Sequence, residues 1–290
     1  MQKEIKCFKI NSKYFPPKLN ELEKCPKELF VLGDEKILLE NSLGVIGSRN
    51  CSCIGKEVAQ KICLDLSESN VVIVSGFAKG IDTIAHKACL SNKKKTIAVL
   101  GSGHGRIYPS ENRKIIDKIL MYGGAIVSEY PFDYPALPKN FIERNRIIAA
   151  LSEGIVLIEA KKNSGSLHTI KYARELNRKI FVVPGRVNDE MYEGSNEVLV
   201  NGAFCICNSK DIAKKYSWIN LKEKVDDKSE MIIDKEYINL FDVISKNPIS
   251  FEEICMLVDE PVNVILNKLT MLEMNDFIKE VECQKFIRTK

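Results

Sequence analysis

Between residues 43 and 207, short apolar runs alternate with longer segments whose apolar positions recur at helical spacing. The runs are LGVIG (43–47), VVIVSG (71–76), KTIAVLG (95–101), GAIVSEY (124–130), GIVLIEA (154–160) and KIFVVPG (179–185). They are rich in Val and Ile and mostly continuous rather than alternating. Strands buried on both faces read this way, so the pattern predicts a parallel sheet. Helices are predicted between them near 56–69, 80–91, 110–121, 141–152 and 166–177. The βαβ rhythm gives an α/β fold, an extended Rossmann-like, doubly wound and mostly parallel sheet. Almost every run ends in Gly or Ser. A ligand of such a sheet lies beyond the carboxyl ends of its strands.

The flanks read differently. Residues 1–42 contain two proline-punctuated stretches and no long periodic helix, which predicts an ordered lead-in to the Rossmann-like domain at 43–215. Residues 216–236 are charged, with scattered apolar positions and no strong period, and read as a linker. Residues 237–290 form a second pattern. EYINLFDVISKN predicts one helix. Ser250 with Glu253 three residues on is a capping box opening a second. Pro261 starts a third, with apolar Val262, Ile265, Leu266, Leu269 and Leu272 at helical spacing. FIKEVECQKFIRT then alternates like a hairpin. Three helices and a hairpin make a small winged-helix domain, a helix-turn-helix relative. Its candidate recognition helix, 261–274, has Lys268 as its single basic residue against Glu273, a poor set for phosphate contacts and a better one for a protein contact.

Composition narrows the chemistry only slightly. Hydrophobic residues make up 45% of the 290, enough for a buried core. The formal charge of +4 is mildly basic and does not by itself require a nucleic-acid partner. The ten cysteines include two C-x-C pairs, Cys51/Cys53 and Cys205/Cys207, but no C-x-x-C, and His86, His104 and His168 stand apart. That spacing gives no metal site. Cys63 and Cys89 fall on apolar helix faces and read as small core residues. No run is apolar over the length of a membrane span and no signal peptide is recognisable. The expectation is a reduced, cytoplasmic protein without a cofactor.

The familiar phosphate-binding fingerprints fail. A P-loop needs G-x-x-x-x-G-K-[ST], but Gly55-Lys56 is followed by Glu57 and position 50 is Asn. A dinucleotide site needs G-x-G-x-x-G after the first strand and an acid near the end of the second. Here the turns are Gly47-Ser48-Arg49 and Ser75-Gly76. GSGHG (101–105) follows the third strand, the wrong place, and G-x-S-x-G is absent. What remains is a row of small residues and cations at strand ends: Gly47, Ser48 and Arg49; Ser75, Gly76, Lys79, Gly80 and Asp82; KNFIERNRIIAALS (139–152); and Ser164, Gly165 and Ser166.

The segment 139–152 has two readings. Asn140 with Glu143 suggests a capping-box variant that puts Arg144 and Arg146 in the first turns of a helix, where they oppose its dipole. A nearby anion would make sense of that, and Phe141, on the face of Arg144 and Ile148, would suit base stacking. Alternatively, Phe141 packs in the core and Arg144 pairs with a buried carboxylate such as Asp82. Ser164-Gly165-Ser166 likewise offers amide groups to a phosphate or simply caps the helix that follows. Gly76 and Gly80 allow a tight turn on either reading, and Lys79 alone would be solvated. Taken together, the loops argue for a phosphate-lined cleft.

GVIGSR, VVIVSGFAKGIDTIAHKACL, KTIAVLGSG…YPSEN, GGAIVSEYP, NFIERNRIIAALSEGIVLIEA, SGSLHT and VPG…GSNEVLVNGA occur in that order over about residues 14–212. Jointly they resemble the DNA processing protein A (DprA/Smf) family. The resemblance implies sequence-independent binding of single-stranded DNA, protection of incoming strands and loading of a RecA-type recombinase in natural transformation and recombination. It also implies a homodimer with no enzymatic activity. Matched motif by motif, Arg49 becomes the principal phosphate contact and Lys79 a second cation. Lys139, Asn140 and Phe141 line the DNA pocket, and Arg144 and Arg146 form the R-N-R element. The chain departs from the pattern at Ile142, where many relatives have Pro, and at His104, in a turn that often reads C-G-L-D. It is also too short before residue 43 for the helical domain many members carry there. Two other functions share such folds. One is a sensor of a free nucleotide, which the same cleft would serve. The other is a nucleotide hydrolase similar to the "lonely guy" proteins, whose P-G-G-x-G-T-x-x-E is replaced here by VPGRVNDE.

Overall fold

The computed structural model describes residues 4–221, 235–275, 277–282 and 284–289. The chain divides into two compact units, Met1–Lys222 and Glu223–Lys290. The first is built on nine strands: β1 (Ile5–Lys9), β2 (Glu28–Gly33), β3 (Ser42–Ile46), β4 (Val72–Ser75), β5 (Thr96–Val99), β6 (Ala125–Ser128), β7 (Gly154–Leu157), β8 (Lys179–Val182) and β9 (Phe204–Cys205). Their order across the sheet is β1-β2-β6-β5-β4-β3-β7-β8-β9. Strands β3 to β9 pair in parallel, whereas β2 runs antiparallel to β6 and β1 antiparallel to β2. All six predicted strands are present, so the sheet is the expected doubly wound one.

The parallel strands carry apolar side chains on both faces because both faces are covered. Val72 and Val74 of β4 enter one core with Ile155 and Leu157 of β7, beneath α4 (Pro138–Leu151) and α5 (Ser166–Glu175). Ile73 and Val156 enter the opposite core beneath α1 (Cys53–Glu68) and α2 (Ile81–Ser91). A third cluster joins Ala98 and Ile126 to Ile119 of α3 (Arg113–Met121). Each aliphatic side chain so buried contributes roughly 1.5–3 kcal/mol relative to exposure. Cys63 and Cys89 are fully buried in the α1/α2 core, as small apolar residues.

The lead-in is more than a connector, because it supplies the antiparallel edge of the sheet. Leu29 and Val31 of β2 are fully buried in the α4/α5 core. The outer strand β1 carries Lys6 and Lys9, exposed charges that discourage further pairing at an edge. The predicted linker also begins later than the pattern suggested. Tyr216 and Ile219 are buried in the α1/α2 core, so residues 216–221 complete the first unit. The linker reading for 222–234 lies outside the described residues. Two short helices, α6 (Glu193–Val200) and α7 (Ser209–Ala213), close the unit.

The second unit runs α8 (Lys235–Val243), β10 (Ile249–Ser250), α9 (Phe251–Leu257), α10 (Val262–Met274), β11 (Ile278–Glu282) and β12 (Lys285–Arg288), with sheet order β10-β12-β11. The capping box at Ser250 forms as predicted: the Glu253 amide donates to Ser250 Oγ (3.2 Å), and the Ser250 amide donates to the Glu253 carboxylate (2.9 Å). Ile265, Leu269 and Leu272 of α10 enter a core with Leu240, Ile244 and Ile254. Val262 and Leu266 do not, and stay exposed.

Candidate nucleic-acid interface

The order of the parallel strands reverses between β3 and β7: β4 follows on one side, β8 on the other. Loops leaving the carboxyl ends of strands on either side of such a reversal diverge and leave a crevice. A cleft of about 960 Å³ opens there, bordered by residues 46–50 after β3, 161–169 after β7, and one side of α4.

The Gly47-Ser48-Arg49 turn is held from below. The Ser48 amide donates to the Glu159 carbonyl (2.7 Å), and the Ile81 amide donates to the Ser48 carbonyl (3.2 Å). Glu159 is fully buried; its carboxylate accepts from the Ser52 amide (3.1 Å) and the Ser52 hydroxyl (2.6 Å). Ser52 Oγ in turn accepts from the Gly55 amide, capping α1. The turn is thereby fixed at both ends while Arg49 projects from it, exposed. Among the described residues Arg49 makes no hydrogen bond or close ion pair, and its guanidinium carbon lies 5.6 Å from the centre of the Phe141 ring.

The loop between β4 and α2 lies directly against this turn. Gly80 has φ +73°, and a Cβ there would sit 2.2 Å from the Ser48 carbonyl and 2.6 Å from that of Arg49. Glycine therefore meets both the backbone requirement and the close approach. Phe77, at φ +58°, also takes a left-handed conformation, and its carbonyl accepts from Asn112 Nδ2 (2.9 Å). Asn112 comes from the YPSEN stretch, so that motif braces the loop. Gly80→Ala is expected to lower unfolding stability by more than about 1 kcal/mol, since native φ and space both exclude the methyl. Chemical denaturation checks this, and a neutral result would mean that the turn and loop are not tightly apposed.

The R-N-R element organises the cleft floor. Arg144 is buried, and its Nη1 donates to the carbonyls of Gly76 and Val99, the ends of β4 and β5. Its Nη2 shares the space over Gly76 with the Asp82 carboxylate; a Cβ on Gly76 would be 2.6 Å from both. Burial pulls the Arg144 pKa down to about 10, opposed by the Asp82 charge. Burial likewise raises Asp82, opposed chiefly by Arg144. Asn145 Nδ2 donates to the Gly165 carbonyl (3.1 Å), tying α4 to the start of α5. Arg146 makes a two-pronged contact with Glu129 at the end of β6 (3.0 and 2.5 Å). Both arginines thus have partners within the protein: those of Arg144 are two backbone carbonyls, with the Asp82 carboxylate nearby but not hydrogen-bonded to it.

The remaining expected residues separate by position. Gly47, Ser48, Arg49, Phe141, Arg144, Ser164, Gly165 and Ser166 line the cleft. Phe141 is half-buried there, with Tyr108 edge-on to it at 5.6 Å, rather than packed in the core. Ser75 is interior, its hydroxyl donating to the Val45 carbonyl (2.7 Å). Gly76 and Gly80 shape the loop beneath the cleft. Lys79 is exposed and paired with Glu111 (2.8 Å), outside the cleft lining, and Lys139 is exposed on the first turn of α4. Asn140 is not a helix cap. The helix begins at Pro138, whose fixed φ suits a first turn, after Leu137. Asn140 is buried within that turn, and its Nδ2 donates to the Pro135 carbonyl (3.4 Å). The cap position of α5 is Gly165, with no side-chain bond of its own; the Ser164 hydroxyl accepts from the Ser166 amide (3.5 Å) and lies 2.9 Å from the Ser166 hydroxyl.

The pattern reading passed over Lys161, Lys162, His168 and Tyr108, all of which line the cleft. A signal was present, since KKNSGS directly follows the β7 run. The two lysines are exposed and pair loosely with Glu190 and Glu193, both at 3.6 Å, so solvent screens those contacts.

Beneath the floor, His86 is buried against Phe77, its Nδ1 2.9 Å from Thr96 Oγ1. Burial, then the Arg144 charge, lowers its pKa from 6.5 to about 3. The unfolded chain takes up this proton near pH 6.5 and the folded one does not. The contribution of a neutral His86 is therefore full above pH 6.5 and is lost as pH falls from there toward about 3. Wild type is expected to lose up to about 2 kcal/mol more than His86→Leu between pH 7 and pH 5. Denaturation curves at the two pH values measure it, and parallel losses would refute the assignment.

Fold and site together define a Rossmann-like α/β protein with an anion-receptive cleft at its topological switch point. The chain belongs to the DNA recombination-mediator protein A family, whose model matches residues 6–217. It is similar to Protein Smf of Escherichia coli K12, 39% identical over 202 residues, which are 70% of this chain and 54% of that protein. The chain therefore spans about half the length of that relative. It is 38% identical to DNA processing protein DprA of Streptococcus pneumoniae over 211 residues, 73% of this chain and 74% of the relative. The X-ray structure of the Streptococcus pneumoniae protein superposes with a TM-score of 0.69, at 37% identity over 73% of this chain and 75% of that one. DNA processing protein A of Helicobacter pylori, a structure described for its single-stranded DNA binding mode, superposes with a TM-score of 0.67. It is 30% identical, over 74% of this chain and 96% of the other.

Proposed function

We propose that this protein captures single-stranded DNA without sequence preference in the β3/β7 cleft and hands it to a RecA-type recombinase, in natural transformation or recombination. The observation that carries the reading is Arg49: an exposed, unpaired guanidinium held over an aromatic ring on a rigid turn. Arg49 with Lys161 and Lys162 offers charge to the phosphates, and Phe141 with Tyr108 offers stacking surface to the bases. Stacking on aromatic faces tolerates any base, which accounts for indifference to sequence.

The proposal includes a homodimer acting in the cytoplasm without bond-breaking chemistry. Two clefts on one strand raise avidity without new contacts. Among the described residues, Asp82 is the carboxylate lining the cleft, close to Arg144 on its floor. The nucleotide-hydrolase reading is tested by assaying release of free base from nucleoside monophosphates. The C-terminal unit, with its α-β-α-α-β-β order, is read as a winged helix.

Fluorescence anisotropy with a labelled oligo-dT, a matched duplex and a salt series tests the proposal. Expected are preference for the single strand and a steep salt dependence, with mononucleotide failing to compete. Equal duplex affinity would remove the cleft from the explanation, and efficient mononucleotide competition would favour a nucleotide sensor.

A further inference from the structure

The apolar stripe that α10 leaves unburied points beyond DNA capture. Val262 and Leu266 lie one turn apart on its surface, and Met274 two turns further on, 55%, 47% and 75% exposed. Met256 and Leu257, at the end of α9, are 84% and 64% exposed and are separated from Val262 by a four-residue turn. Apolar side chains concentrated in this way on two consecutive helices of a small unit mark an interaction surface.

We propose that this stripe docks a basic amphipathic helix of a protein partner. The second helix of a helix-turn-helix is the element that enters the DNA major groove in DNA readers, and there it needs cations. Residues 251–274 carry five acidic side chains, Glu252, Glu253, Asp259, Glu260 and Glu273, against Lys268 alone. The Lys268 ammonium is held by Glu260 at 2.7 Å. Arg288, on β12, is also engaged: its guanidinium donates to the Ile244 and Phe241 carbonyls and lies 3.9 Å over the Phe241 ring. Across 237–290 there are nine acidic and six basic residues, so the unit is acidic in a chain whose total charge is +4. DNA phosphates would be repelled by this surface. A helix with apolar positions at i, i+4 and i+7 flanked by Lys or Arg would match it in both respects. The unbranched, polarizable methionines adapt to such a partner's side chains.

The test uses the full-length chain and a fluorescent peptide of leucine and lysine placed at helical spacing. Its controls are a scrambled isomer of the same composition and a leucine–glutamate counterpart. Binding at least about tenfold tighter than either control is expected, with about tenfold loss in the Leu266→Ser/Met274→Ser double variant and unchanged oligo-dT affinity. Met274→Ser alone, at the exposed helix end, serves if the double variant melts early, with a smaller loss in the same direction. Equal affinity for the scrambled peptide, an unaffected variant, or displacement of the peptide by duplex DNA would overturn the proposal. Self-association of the wild type that the double variant abolishes would overturn it too, assigning the stripe to a second copy of this chain.

Discussion

Arg49→Ala is expected to lower affinity for oligo-dT by at least about tenfold at low salt while leaving the unfolding midpoint unchanged. The two halves of this result have separate causes. Arg49 is exposed and has no hydrogen-bond partner among the described residues, so truncation removes nothing the folded chain depends on. Under the proposed function, its position on a rigid turn at the switch point would set it against a phosphate. Loss of one phosphate contact should also reduce the slope of log affinity against log salt by about 0.7, the single-strand value per contact. Anisotropy titrations of both proteins at several salt concentrations measure affinity and slope together. Unchanged affinity and slope would move the contact to Lys161 and Lys162 across the cleft, and the Gly-Ser-Arg turn would lose its assigned role.

Arg144→Ala is expected to do the reverse, lowering stability by about 2–4 kcal/mol, because two buried carbonyls are left without a donor. The Gly76 and Val99 carbonyls would lose their donor, and the Asp82 carboxylate a nearby positive charge. Adding Asp82→Asn should recover part of the loss, because an amide has no charge to leave uncompensated. Equilibrium denaturation of the single and double variants measures both effects. A loss below about 1 kcal/mol would mean that Arg144 is not the clamp joining β4 to β5, and would return it to the set of possible DNA contacts.

The contrast between these arginines shows where reading by pattern stops. The sequence pattern sets both at the edge of an element, yet Arg144 lies in the middle of α4, because the helix starts at Pro138 and not at Asn140. The difference is depth. Arg49 caps a tight turn whose backbone is held from below by Glu159, and its side chain can only go outward. Arg144 lies on the face of α4 that meets the sheet, over the Gly76 gap, so its side chain can only go inward. Asn140 misleads for a related reason: Asn with Glu three residues later imitates a cap, but Pro138 two residues earlier already sets the first turn.

The sheet and its helices were legible because continuous Val/Ile runs and 3.6-residue periodicity are local consequences of burial on two faces or one. The carboxyl-end location of the cleft followed from the same rhythm, and so did the Ser250 capping box, whose bonds span only three residues. Strands β1 and β2 were not legible. Each is a short antiparallel segment: β2 pairs with β6, about a hundred residues away, and β1 pairs with β2, and such pairing leaves little local signature. The residues bordering the cleft were recognisable by type: glycine, serine, arginine. Which of them face solvent, which brace a loop, and which cations are already satisfied by Glu111, by Glu129 or by backbone carbonyls are facts of three-dimensional proximity. The order of residues determined a Rossmann-like unit with a row of polar loops at its strand ends. Only the tertiary structure decided that Arg49, over the cleft, has no hydrogen-bond or ion-pair partner among the described residues while Lys79 and Arg146 do, because the pairing of charges depends on distances that a linear pattern does not contain.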